Sequence, residues 1–405
     1  MRPNRTSLPE RVCPRESPLR ALTGLRFVAA FWLVFFHFFR PMKLGIPMPA
    51  SIDSILESGF CGIGLFFTLS GFVLSYVYGE IDPNDPIAKR NFWAARFARV
   101  YPIHIVGFVL ATPFVILHRM AKSSGFALLL KILTAAEASL TLTQAWLWPL
   151  SRTWNGLSWT LSVEVFCYLL FPWIAAKLRT LREAELIALA GLMWICAMLP
   201  PAVWHFVPAL PEFFVLDDPL FHLPTFVAGA AVGFLFLRRK PSGAQASLCS
   251  VSGLAIILAV TAFSRSTAPG FLHNGFLIPG FCLLIYGLAC NGWPASMLSG
   301  RAMQLLGDAS YSVYILQFCV WWTSFAVVTG FARIDYTAAT NADVMAGSAW
   351  FFVVNSAILI TLSILLFKYV ETPARTYLRS RLSYRRPEAS SYVPDSLRRA
   401  DARSS

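Results

Sequence analysis

Arg26 and His37 lie eleven residues apart in the stretch LRALTGLRFVAAFWLVFFHFF. On an α-helix that separation turns the chain by about 1100°. The two side chains therefore fall within roughly 20° of one face, about 16 Å apart along the axis. An ionisable group inside an apolar span costs about 2.5 kcal/mol or more, so each has to be accounted for. Each has an ordinary account: an arginine snorkelling to the headgroups, or a histidine satisfied by a neighbouring carbonyl. Two polar residues sharing one face of an otherwise apolar helix instead imply that the face lines a cavity or meets another helix. Arg96 and Arg99, in RNFWAARFARVYP, stand three apart on one side of a helix entering the membrane, with Pro102 at a suitable bend. Such a cluster by itself serves topology and lipid headgroups. Together with Arg26 at the same depth, three guanidinium groups suit a polyphosphate. Glu164, in WNGLSWTLSVEVFCYLLFP, is either kept protonated or paired, and a histidine in the same half of another helix is its expected partner.

These residues need a membrane scaffold to hold them. The 405-residue chain is 56% hydrophobic and only 14% charged, with a mean hydropathy of +0.58. Soluble domains carry about 25% charged residues, so a water-exposed surface of ordinary composition is excluded. The +13 net charge would point to nucleic acid in a soluble protein; in this composition it reports orientation in the membrane, and no nucleic-acid partner is expected. The eight cysteines are scattered through apolar runs without metal-ligand or redox spacing, which makes them small apolar fillers and predicts no metal site. The first twenty residues are polar and rich in Arg and Pro, and no small-residue cleavage pattern follows them, so no cleavable signal is expected.

Eleven apolar stretches are candidate spans, at about 20–39, 58–79, 100–117, 126–147, 158–176, 186–206, 220–237, 248–264, 270–290, 304–329 and 348–368. The weakest is 126–147, interrupted by Lys131 and Glu137. If it does not span, about 25 basic residues fall on one side and about 8 on the other. If it spans, the clusters Lys177/Arg179/Arg182 and Arg238/Arg239/Lys240 both move to the poor side. The sequence therefore predicts an all-α polytopic bundle of about ten transmembrane helices with both termini cytoplasmic, and an extra interfacial or re-entrant helix on the outer face. Residues 1–19 read as a cytoplasmic N-terminal segment, 20–379 as the membrane domain, and 380–405 as a disordered basic tail. No internal repeat is visible.

These segments resemble the membrane-bound acyltransferase family 3. Its hallmark, an Arg, ten residues and a His in the first span, stands here as Arg26 to His37. The block GFCGIGLFFTLSGFVLSYVY is similar to a family signature at Gly62, Gly64, Phe67, Leu69, Ser70, Gly71 and Phe72. Arg96 and Arg99 match its R-x-x-R, and Trp159, Leu161, Ser162 and Glu164 its W-x-L-S-x-E. LGDASYSVYILQF resembles a segment near the family's end, and Glu371 and Pro373 its closing E-x-P. The blocks occur in order from about Leu19 to Arg379. One departure is Gln317, where relatives often carry a His; it argues against a catalytic role for that position. Some relatives add a C-terminal esterase-like domain, for which the short polar tail leaves no room.

The resemblance implies transfer of an acyl group, commonly acetyl from acetyl-CoA, to a hydroxyl of a carbohydrate or other small or lipid-linked acceptor, by a protein of the bacterial inner membrane. No permanently bound cofactor is implied; acyl-CoA is a co-substrate. On this reading Arg26, Arg96 and Arg99 hold the CoA phosphates at the cytoplasmic mouth, and His37 is the general base. Glu164 orients the imidazole or holds an acceptor hydroxyl. A covalent acyl-histidine is an open alternative. A rival class, a transporter or flippase of polyprenyl-linked sugars, shares the span count and buried charges but would show repeated halves or broken helices.

Overall fold

The computed structural model describes residues 17–39, 48–120, 125–207, 216–264, 269–331 and 349–384. The expected tail, but for Ser380–Tyr384, and the expected N-terminal segment up to residue 16 lie outside them. Among the described residues every regular element is helical. Also among the described residues, ten helical stretches are long and apolar enough to cross a membrane: Arg20–Phe38, Gly59–Tyr78, Pro86–Leu117, Trp159–Thr180, Glu183–Phe206, Pro219–Arg238, Gly243–Ala262, Gly270–Leu288, Ser310–Val328 and Trp350–Leu382. We call these the first to tenth spans. The protein is a multi-pass membrane protein. Its fifth, seventh and tenth spans expose Leu192, Ile195, Leu254, Leu258, Val353 and Ile358, the surface that hydrocarbon rather than water would cover.

The weakest candidate stretch forms the helix Phe126–Leu140, at 15 residues shorter than the roughly 20 that a span needs. The chain after it is mostly irregular, yet buried at Gln144, Ser151, Asn155, Leu157 and Ser158. Irregular backbone at such depth must find hydrogen-bond partners inside the protein. Gln144 donates to the Ser158 carbonyl at 2.8 Å, Asn155 to the Ile315 carbonyl at 2.9 Å, and the Trp154 indole to the Phe108 carbonyl at 3.1 Å. The fourth span accordingly starts among buried residues.

Small residues let the central helices approach closely. A Cβ at Gly71 would strike the Phe226 carbonyl, and one at Gly229 the Thr68 carbonyl, so the second and sixth spans meet backbone to backbone. Two irregularities bear on the site. The first span closes in a π-helical turn, Phe35–Phe39, and the tenth carries another at Phe367–Glu371; among the described residues these are the two π segments. The eighth span is broken between the helices Pro269–Asn274 and Ile278–Leu288, where Gly275 adopts φ +144°, a backbone region that favours glycine.

Candidate active site

The first span carries Arg26 and His37 into two different cavities. Arg26 lines one of about 120 Å³, with Ser70 of the second span, Arg96 and Arg99 of the third, Glu164 and Tyr168 of the fourth, and Tyr311 and Tyr314 of the ninth. His37 lines the other, about 600 Å³, with Glu57, Arg152, Trp159, His273, Phe318 and Trp322. Ile63 of the second span belongs to the walls of both. Beside it the Tyr314 hydroxyl meets Thr160 Oγ1 at 2.8 Å, and the Phe66 ring packs edge-on against Tyr314 with centroids 5.7 Å apart. The single polar seam expected from a straight helix is thus two separate chambers, with Ile63 as the partition they share. The π turn at Phe35–Phe39 also departs from the 100° per residue of the helical wheel.

The three guanidinium groups are brought together as expected, but they are not equivalent. Arg99 Nη1 pairs with Glu371 Oε1 at 2.6 Å, and Glu371, fully buried on the second π turn, also accepts from Ser312 at 3.4 Å. Arg96 donates to the Tyr78 hydroxyl at 3.0 Å and lies over the Tyr78 and Tyr168 rings, 5.0 and 6.0 Å from their centroids. Its buried Nε has no hydrogen-bond partner among the described residues. Arg26 makes no hydrogen bond or ion pair to any described residue. A charged group whose donors are left open toward a cavity is built to meet an anion.

Glu164 lies elsewhere than expected. It does not meet His37; it accepts hydrogen bonds from the Tyr168 hydroxyl and, at 3.3 Å, from Ser70 Oγ, inside the arginine-lined cavity. The physical reason is the buried start of the fourth span, which carries a residue five positions on toward the arginine end.

The residue that does meet His37 is one the sequence pattern set aside. His37 Nδ1 lies 2.8 Å from Gln317 Oε1, and the imidazole packs on Phe318 with centroids 4.6 Å apart. Gln317 is fully buried on the ninth span. A further feature that the sequence did not give is Arg152, which grips the buried Asp217 through two nitrogens, at 2.6 and 2.9 Å, while Ser151 donates to the same carboxylate at 2.7 Å. His273 comes into the large cavity on the short helix before the break at Gly275, its ring parallel to those of Phe60 and Trp159. No group of metal-binding side chains occurs among the described residues.

Comparison with known proteins adds to this geometry. The chain is 28% identical over 329 residues to the acyltransferase MdmB of Streptomyces mycarofaciens, covering 76% of this chain and 80% of that protein. It is 22% identical over 404 residues to SAR0937 of Staphylococcus aureus (strain MRSA252), provisionally named an O-acetyltransferase, covering 93% of this chain but 60% of that one. It is 22% identical over 328 residues to the O-acetyltransferase OatA of Staphylococcus aureus (strain NCTC 8325), of which it spans half the length. No solved structure matches the chain. A family model described as the acyltransferase domain matches residues 19–368, nearly the whole membrane bundle with Arg26, His37, Arg96, Arg99, Glu164 and Gln317 inside it. The chain belongs to this acyltransferase domain family, and is an enzyme of acyl-group transfer.

Proposed function

We propose that the protein is an O-acyltransferase that moves an acyl group, acetyl in the simplest case, from acyl-CoA to a hydroxyl of a carbohydrate or another small or lipid-linked acceptor. The observation that carries this reading is the division of labour along the first span. One end offers a guanidinium that no described residue engages, beside two more; the other offers an imidazole in a larger, aromatic-lined chamber.

The highly charged donor stays at the arginine end, which faces the cytoplasm of a bacterial inner-membrane protein with both termini inside. Arg26, Arg96 and Arg99 hold its phosphates through charge-assisted hydrogen bonds. Its flexible arm crosses the partition at Ile63, which brings the thioester to His37. The imidazole removes the proton of the acceptor hydroxyl as the oxygen attacks the thioester carbonyl, and returns it to the departing thiolate. Glu164, held by Tyr168 and Ser70, belongs to the donor end, where its carboxylate balances the guanidinium groups before the donor binds. The apolar walls of both chambers limit hydrolysis of the thioester.

The test is the purified full-length protein given acetyl-CoA together with cell-surface glycans. Release of free thiol and appearance of O-acetyl groups on the glycan, read by mass spectrometry, are the expected results. A sugar transporter would leave the thioester whole.

A further inference from the structure

We infer that Gln317 sets the tautomer of His37 and holds its ring for proton transfer, an inference that rests on the base role proposed above for His37. The amide of Gln317 has only one way to face. Its Nε2 donates to the Tyr314 carbonyl at 3.0 Å, which turns Oε1 toward the imidazole, 2.8 Å from Nδ1. An amide oxygen only accepts, so Nδ1 carries the hydrogen and Nε2 is left with the lone pair that a base needs. Packing against Phe318 and Phe36, at 4.6 and 5.0 Å between centroids, fixes the ring plane.

In the transfer the acceptor O–H proton passes to Nε2 as the oxygen bonds to the thioester carbonyl carbon. The C–S bond then breaks, and the leaving thiolate takes the same proton from Nε2. Nδ1–H remains on Gln317 throughout, and its hydrogen bond strengthens while the ring is cationic. Gln317 is therefore a positioning residue. It also differs from a carboxylate or an imidazole in adding no ionisation of its own. The other charged or titratable groups lining the chamber that His37 faces are Glu57, Arg152, which Asp217 holds, and His273.

The experiment uses the full-length protein in membrane vesicles with radiolabelled acetyl-CoA. Thiol release and acetyl transfer are followed from about pH 3.5 to 9, a range wide enough to take in the acidic limb of a buried imidazole. Gln317→Leu is expected to lower kcat about 10- to 100-fold while KM for acetyl-CoA stays within about threefold. Gln317→Glu is expected to stay active and to move the acidic limb of the kcat profile upward by about one pH unit or more. A carboxylate stabilises the imidazolium, so the ring stays protonated, and unable to act as a base, to a higher pH. If Gln317→Leu fails to accumulate, the limb of Gln317→Glu decides alone. An unaltered kcat and pH profile in Gln317→Leu, or an unmoved limb in Gln317→Glu, overturns the inference. His37→Ala, run beside them, separates the two levels. Full turnover in that variant, or none in the unaltered protein, overturns the base reading and the inference with it; loss in His37→Ala beside full activity in Gln317→Leu overturns the inference alone.

Discussion

Arg26 stands apart from the other two arginines by having no hydrogen-bond or ion-pair partner among the described residues. Arg99 is already engaged by Glu371, and Arg96 by Tyr78, so a donor phosphate competes with existing bonds at both. At Arg26 it competes with nothing from the described chain. Arg26→Ala is therefore expected to raise KM for acyl-CoA about 10- to 100-fold, the worth of one hydrogen bond to a charged group, with kcat changed little. Steady-state kinetics against acetyl-CoA check this; an unaltered KM would place the phosphates elsewhere. Arg26, His37, Arg96 and Arg99 were all legible in the sequence, because a charge in an apolar run stands out and helical periodicity assigns it a face. Glu164 and Gln317 show where that logic ends. A carboxylate and an imidazole on different helices cannot be paired by spacing, since depth depends on where each helix begins. Gln317, being uncharged, gave no signal of cost; only its position in the block LGDASYSVYILQF marked it.

At the scale of elements, the partition between the chambers is the feature with the clearest consequence. Ile63 on the second span lines both, and the Thr160–Tyr314 bond between the fourth and ninth spans belongs to the wall of the arginine-lined cavity. On the proposed reading the arm of the donor passes the partition, so Ile63→Trp, which adds an indole at the shared wall, is expected to reduce transfer at least about tenfold while leaving acyl-CoA binding at the arginine end within about threefold. Equilibrium binding and turnover measured on the same preparation test this, and equal loss of both would point to a damaged fold. The spans themselves were readable from length and charge, to within a few residues at most ends. The longest disagreements are the third, which begins at Pro86 although its first turns are polar, and the tenth, which runs on past the second π turn to Leu382. The π turns, the break at Gly275 and the buried stretch before Trp159 were not readable. Each depends on long-range packing, and apolar composition is the same for a regular and an irregular path through a bundle.

On the proposed reading, one face of the membrane supplies the charge that meets the donor phosphates and the other holds the larger aromatic chamber. This polarity rests on the basic clusters Lys177/Arg179/Arg182 and Arg238/Arg239/Lys240 sharing a side with Lys89 and Arg90. In a variant without native cysteines, Lys240→Cys is expected to react with a membrane-impermeant thiol reagent only after the cells are permeabilised, and Trp146→Cys in intact cells. The reverse labelling would invert the orientation and put the arginine chamber out of reach of a cytosolic donor. On the proposed reading, the separation of the two cavities makes donor binding and proton transfer independent functions of one helix. Acetyl-CoA binding and acetyl transfer measured side by side in His37→Gln test that most directly. Binding should stay within about threefold of the unaltered protein while transfer falls at least about 100-fold. Transfer at the unaltered rate would contradict the account.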